Sequence, residues 1–510
     1  MGLILAIDGG SQSTKVSLVA HDGRVVGSNA VALRPYRLGP DGYAVHPDDD
    51  LWDSLVAAVA DLGAGLDEVT AVGLCSIRYC RSYLRQDGTL FEPVLSWMDP
   101  RVNAPPPADG QIRWVTTASG YLTHRLTGEH TDTAGNYQGW WPVDPRTWSW
   151  SEDEQDFRDT GMHREQLFDL VDPGAPLGRI TETAARATGI PAGSTVYATS
   201  NDKAVEALGC GIIHPGQLLL SLGTYIASMT PAGPMGGPAG TSGALLPHQP
   251  YRRHQPQTDA ADSPAEPAHW TNFACVPGGL LLESDGIRRG MWTLGWLGEF
   301  SGRSIAELTR LAENVPSGSR GLLTILDWLA PPGHSHRRGT ILGLNAEHGP
   351  GEVFRSLLEG ICLTMADHAD AMVADVTTGS VMAGSVTAGS GGRGPTEVVV
   401  CGGGSRSDLM MGIAADCFSR PAIRMQAENA AGIGAAICAA FGAGTYSSWQ
   451  DAVSAMTHQD RLFVPSEHEP DYQVLRGRHR RAREALDEVY RRLADPGEVG
   501  GPQPGGVANS

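Results

Sequence analysis

The sequence predicts an α/β protein built as two domains. Three observations point there. At 510 residues the chain is too long for one ordinary hydrophobic core. Short apolar runs alternate with helical periodicity, as in a largely parallel sheet with helices on its faces. A strand–turn–strand opening occurs at the N-terminus and again near residue 217.

Taken in order, LILAID (3–8), TKVSLVA (14–20) and RVVGSNAVAL (24–33) are separated by GGSQS and HDG turns, the pattern of an antiparallel meander. Leu51 to Leu62 has helical spacing, while VTAVGLCSI (69–77) and TVYATSND (195–202) read as strands. QLLLSLGTYIASM (217–229) repeats the N-terminal opening. A boundary near residue 214 follows, giving domains at 1–214 and 215–492 and a disordered tail at 493–510. Pro231 to Pro267, Thr377 to Gly394 and the tail are rich in Gly, Pro, Ser or Ala and read as surface insertions or disordered ends.

Composition narrows the function. A formal charge of −19 argues against nucleic acid and anionic membranes, both of which ask for a clustered basic face. The basic run RGRHRRAR (476–483) reads as a solvated helix face. The eight cysteines lack CxxC spacing and sit in apolar surroundings, as buried thiols do in a reducing compartment. MGLILAIDGG has no basic n-region, and no run approaches the roughly 20 apolar residues of a membrane span. The expectation is a cytoplasmic protein.

Three glycine turns carry the chemistry. Asp8-Gly9-Gly10-Ser11-Gln12-Ser13-Thr14-Lys15 combines a carboxylate, glycines that let backbone N–H groups approach a phosphate, hydroxyls and an ammonium. It also suits a plain hairpin turn. Ser221-Leu222-Gly223-Thr224 has similar ingredients, and two such hairpins facing each other would clamp a nucleotide. The third, Cys401 to Asp408, lies between the strand EVVV and the helix LMMGIAADCF, where a nucleotide lies against a helix N-terminus. Only two of the 38 basic residues are lysine, Lys15 and Lys203, and both fall in or beside these motifs. Arginine's planar fork does not reproduce a compact ammonium. An incidental helix-start position is the other reading of Lys203.

In this order the motifs resemble the FGGY family of carbohydrate kinases, which includes glycerol kinase and xylulokinase. The likeness rests on IDGGSQSTK (7–15), LSWMDPR (95–101), YLTHRLTGEHTD (121–132), SNDKAVEALGCGIIHPG (200–216), LSLGT (220–224), FRSLLEGI (354–361), the CGGGSRSD segment and ENAAGIGAAICAAFGAG (428–444). It implies two actin-like ATPase (ribonuclease H-like) domains with an interdomain cleft, ATP and Mg²⁺ as cofactors, and a small sugar or polyol as substrate. A homodimer is an assembly it leaves open. It implies Asp202 as catalytic base, Asp8 near the magnesium ion, and Ser11, Gln12, Ser13 and Lys15 near the transferring phosphate. Gly223 and Thr224 would form the second phosphate turn, and Gly403, Gly404 and Asp408 would lie by the adenosine. Arg78, Tyr79 and Trp97 would line the acceptor pocket. For Asp202, capping the helix that follows is the competing role.

The chain departs from the family in three places. The base motif reads Thr199-Ser200-Asn201-Asp202-Lys203, and the acceptor loop has Arg78-Tyr79, so neither named relative's substrate carries over. Between Arg101 and Thr116 only a short segment with three prolines replaces a longer helical wall. Either the pocket is open, or the Pro231 to Pro267 insertion or a partner subunit covers it. The open pocket is the favoured expectation, and with it an acceptor larger than glycerol: a pentose, a hexose, their polyols or a cyclitol. A nucleotide- and sugar-binding sensor would not need Asp202, and a filament-forming actin relative would not need Arg78 and Trp97.

Overall fold

A computed structural model describes residues 2–233, 235, 269–331, 333–377 and 394–494. The irregular segments expected at 231–267 and 377–394 fall mostly outside the described residues, as does the tail beyond Ala494. Residues 493 and 494, placed in that tail by the sequence, are still helical.

The N-terminal meander is present as β1 (Leu3–Gly9), β2 (Ser13–Val19) and β3 (Val25–Ala32). β4 (Val69–Ser76), β5 (Pro176–Arg179) and β6 (Thr195–Tyr197) complete a six-stranded sheet of order β5-β6-β4-β1-β2-β3. β6, β4 and β1 run parallel, and the other pairings are antiparallel. β1 is apolar on both faces, with Ile4 to Ile7 fully buried, because helices cover the sheet on each side. α1 (Asp50–Ala60) covers one face through Leu51, Leu55 and Val59, which its helical spacing turns toward β2 and β3.

The second half repeats this plan. β7 (Gln217–Leu222) and β8 (Ile226–Pro231) form the hairpin, joined by β9 (His269–Phe273), β10 (Leu280–Ser284), β11 (Glu397–Cys401), β12 (Ala422–Met425) and β13 (Gln459–Phe463). The order is β9-β10-β8-β7-β11-β12-β13, with β7, β11 and β12 parallel. Strand for strand, β13-β12-β11-β7-β8-β10 matches β5-β6-β4-β1-β2-β3 in order and direction. β9 is an additional edge strand.

The helices that follow equivalent strands, α2 (Asp202–Gly209) after β6 and α3 (Ala430–Gly442) after β12, pack on each other between the sheets. Their approach requires glycine. A Cβ on Gly434 would stand 2.0 Å from the Val205 carbonyl oxygen, and one on Gly209 1.8 Å from that of Ala430. α3 also lies against β1 and β4, so a helix from the second half closes the other face of the first sheet.

All eight cysteines are free and buried. The basic run of 476–483 lies in α4 (Glu469–Ala494), but it is not simply a solvated face. Arg476 and Arg480 both pair with Asp367 at 2.6 Å, and His479 is buried against the Thr324 carbonyl. The distant acidic partners that neutralise it are invisible in local spacing. Among the described residues no helix is long and apolar enough to cross a membrane.

Candidate active site

The two hairpin turns face each other. Gln12 Nε2, in the β1–β2 turn, donates to Thr224 Oγ1, in the β7–β8 turn, at 3.4 Å. The first turn is closed by the Gly10 N–H donating to the Ser13 carbonyl at 3.0 Å, leaving Ser11 and Gln12 exposed at its tip. Lys15 projects from β2, paired in register with Asp8 on β1. The second turn is held by the Gly290 N–H, which donates to the Thr224 carbonyl at 2.9 Å.

The third glycine turn lies beside the second. Gly402 has φ +82, and a Cβ there would stand 2.6 Å from the Leu222 carbonyl oxygen, so only glycine lets the turns touch. A Cβ on Gly403 would meet no neighbouring atom within 4 Å, so that backbone edge is open. The Asp408 carboxylate, at the head of the following helix, pairs with Arg424 at 2.8 Å and Arg461 at 2.5 Å on the flank.

Charged groups converge between the halves. Asp202 is the first residue of α2, but the helix is capped by its neighbour: Asn201 Oδ1 accepts from the Ala204 N–H at 3.1 Å. The capping role considered for Asp202 therefore belongs to Asn201, and the Asp202 side chain, 29% exposed, remains available to the cleft. Burial pushes its carboxyl above the usual range, against the opposing pull of Arg78 and Lys203. Asp8 at the end of β1 is likewise raised by burial, to about 6, with Lys15 opposing and Asp202 and Glu206 adding to the rise.

Lys203 is not an incidental helix-start residue. Its Nζ donates to Glu206 Oε2 at 2.8 Å and to Ser221 Oγ at 2.9 Å, tying α2 to β7 of the other half. Ser221 Oγ also donates to the same Glu206 oxygen at 2.8 Å. Burial alone would lower the Lys203 ammonium, but Glu206 and Asp202 hold it above the ordinary lysine range.

A second bridge joins the loop after β4 to β10. Arg78 makes a two-pronged pair with Glu283, Nη1 to Oε2 at 2.8 Å and Nη2 to Oε1 at 2.9 Å. Its Nε lies 3.5 Å from Asp202 Oδ1, so one guanidinium links both carboxylates. Glu283 is fully buried and also accepts from Trp270 Nε1 and Asn272 Nδ2, each at 2.8 Å, from β9. Tyr79 follows in the left-handed region at φ +63, turning the loop back on itself, with the Arg78 guanidinium 5.1 Å from its ring centroid. Trp97 is 45% exposed on an adjoining loop, and its backbone meets the Cys80 thiol.

The structure thus gathers Asp8, Asp202, Arg78 and Lys203 in one charged cluster, with the two hairpin turns meeting beside it. Glu206, Glu283, Trp270 and Asn272 were not anticipated. Only Glu206 had a signal, since it lies one helical turn beyond Lys203. The prolines at 105–107 lie in irregular chain after a 3₁₀ turn at Pro100–Asn103, so no helix replaces the missing wall there.

Two halves of one topology, with glycine turns meeting across a cleft that holds a carboxylate at a helix start, define a two-domain kinase of actin-like fold. The model of the FGGY family of carbohydrate kinases, C-terminal domain, matches residues 240–443. The uncharacterized sugar kinase YgcE of Escherichia coli (strain K12) is 38% identical over 91% of this chain and 89% of its own length. A xylulose kinase of Staphylococcus epidermidis is 23% identical over 92% and 94%. The chain belongs to the FGGY family of carbohydrate kinases and is a carbohydrate kinase. Its fold matches that of gluconate kinase from Lactobacillus acidophilus, with TM-score 0.77, 18% identity and coverage of 96% and 99%. Xylulose kinase from Rhodospirillum rubrum gives TM-score 0.75, 21% identity and coverage of 96% and 100%.

Proposed function

We propose that the protein transfers the γ-phosphoryl group of ATP to a hydroxyl of a sugar, polyol or cyclitol, with Asp202 as general base. One observation carries this reading: Asp202 opens to the cleft at the start of α2, within reach of Arg78 and backed by the facing turns. Phosphoryl transfer asks mainly for positioning and charge neutralisation. Asp202 would accept the proton of the attacking hydroxyl, a task its raised carboxyl suits better than an ordinary aspartate.

Ser11, Gln12, Ser13 and Lys15 would hold the transferring phosphate from one side, with Gly223 and Thr224 on the other. Gly403 and Gly404 would lie under the adenosine, with Asp408 ordering that end through Arg424 and Arg461. Residues 1–214 would carry the acceptor and 215–492 most of the nucleotide. Closing the halves would keep water from the phosphate.

The residues present fit a divalent cation. Asp8, Asp202, Glu206 and Glu283 outnumber Lys203, Lys15 and Arg78 in this cluster, and Asp8 is held near pKa 6 by burial. Mg²⁺ held by Asp8 would supply charge neutralisation at the phosphates.

On the acceptor side, Arg78, Tyr79 and Trp97 would line the pocket. The irregular segment after Asn103 supports an open wall and an acceptor larger than glycerol. The lack of a basic excess and the buried thiols favour a cytoplasmic enzyme without nucleic-acid partners.

Asp202→Ala tests the assignment. Its single-turnover rate should fall by about 10² to 10⁴ while ATP binding stays near wild type, because the carboxylate faces the acceptor. Turnover close to wild type would remove Asp202 from the mechanism.

A further inference from the structure

Away from the cleft, the loop between strands Leu323–Ile325 and Thr340–Leu342 carries His334 and His336, and α4 brings Asp487 up to both. His336 Nε2 lies 2.9 Å and His334 Nδ1 4.0 Å from the same oxygen, Asp487 Oδ1. One ligand atom from each residue falls within 4.8 Å of the others. Around tetrahedral Zn²⁺, with bonds of about 2.0 to 2.2 Å, neighbouring ligand atoms stand about 3.4 Å apart. The observed separations straddle that value, so modest side-chain rotations would complete the site.

A second observation points the same way. His334 Nδ1 is shielded from solvent and has no hydrogen-bond partner among the described residues, although the side chain as a whole is 44% exposed. An orphaned ring nitrogen facing a carboxylate is costly unless something joins them.

The neighbouring charges leave room for a cation. Arg337 stands 3.7 Å from Asp487 Oδ1, but its closer partner is Asp327 at 2.9 Å, which offsets it. Arg491 holds the opposite oxygen, Oδ2, at 2.9 Å and orients the carboxylate as outer partners of metal ligands do.

We propose that His334, His336 and Asp487 form a site for a late first-row divalent cation, Zn²⁺ above all, with the fourth position open to solvent. Two imidazoles and one carboxylate favour such ions over Mg²⁺, which prefers oxygen ligands. Binding would place the cation between His336 Nε2 and Asp487 Oδ1, the ring carrying its proton on Nδ1, and clip the loop to α4, where the Thr340 and Tyr490 hydroxyls already meet.

The test is equilibrium dialysis of the full chain, freed of any affinity tag, against Zn²⁺ in the presence of excess Mg²⁺, with metal content measured afterwards. The eight buried cysteines offer no competing exposed thiol site. Wild type should retain about one equivalent of Zn²⁺ and melt at a higher temperature with it, and His334→Ala, His336→Ala and Asp487→Asn should each weaken retention by about 10- to 100-fold. His334→Ala, altering a half-exposed side chain, keeps the test valid if another variant folds poorly. No retention by wild type, or retention unchanged in all three variants, would overturn the proposal. The readout is metal content, so it stands apart from the kinase assignment.

Discussion

The two halves carry the same strand–turn–strand device, with a turn one residue shorter in the second, but arm it differently. On β1 and β2, Asp8 pairs with Lys15 across the hairpin and with Cys75 on the parallel neighbour. On β7 and β8, Ser221 pairs with Ala227 and with Cys401. One half therefore places a charged pair where the other places a hydroxyl and a methyl. The backbone device, a glycine turn at the head of a parallel strand, is shared, while the means of neutralising charge is concentrated in the first half. The second half contributes instead through β10 and the additional strand β9, whose Glu283, Trp270 and Asn272 grip Arg78.

The largest effect should come from breaking that grip. Glu283 is fully buried and Arg78 mostly so, and removing one partner leaves an unpaired charge, so Glu283→Ala should lose about 3 to 5 kcal/mol of stability in a denaturant titration. Arg78→Ala should in addition raise the acceptor KM with little change for ATP. A Glu283→Ala protein of wild-type stability, or an Arg78→Ala enzyme defective toward ATP alone, would break the assignment of this bridge to the acceptor side.

Next in size is the contrast between Asp8 and Ser221. Asp8 binds its proton more tightly folded than unfolded, with its carboxyl raised from 3.8 to about 6. Its favourable contribution is full below pH 4 and is lost as pH rises through about 6. Above that, ionised burial costs up to about 3 kcal/mol. Without ligands, Asp8→Asn should therefore melt higher than wild type at pH 8, with the gain vanishing below pH 4. A gain independent of pH would contradict the burial of an ionised Asp8. Ser221→Ala should give the smallest change, a loss of about 1 kcal/mol that is level above about pH 5 and fades in acid, because the hydroxyl donates to Glu206 and helps hold that carboxyl below its usual range. A loss that changes between about pH 5 and pH 8 would contradict this role.

What was legible in the sequence follows the same division. The hairpins, the parallel strands beside them and the glycine turns are local patterns, and residues 3–33 and 217–229 fold as their periodicity predicts. The pairing of Arg78 with Glu283 joins residues 205 apart in the chain, and no local spacing announces it. Asp202 and Asn201 suit a helix cap equally well by residue type, and only the geometry assigns the cap to Asn201. The basic run of α4 looked solvated because Asp367, which neutralises Arg476 and Arg480, lies more than a hundred residues away.

The most direct measurement of the central claim is ADP release with ATP and Mg²⁺ against a panel of glycerol, polyols, ketoses, aldoses and cyclitols. The account predicts acceptor-dependent release, with the highest kcat/KM for a pentose, a hexose, one of their polyols or a cyclitol, because a three-carbon substrate is poorly positioned in an open pocket. Release that no member of the panel stimulates would contradict the acceptor class proposed, and glycerol as the best substrate would contradict the open pocket.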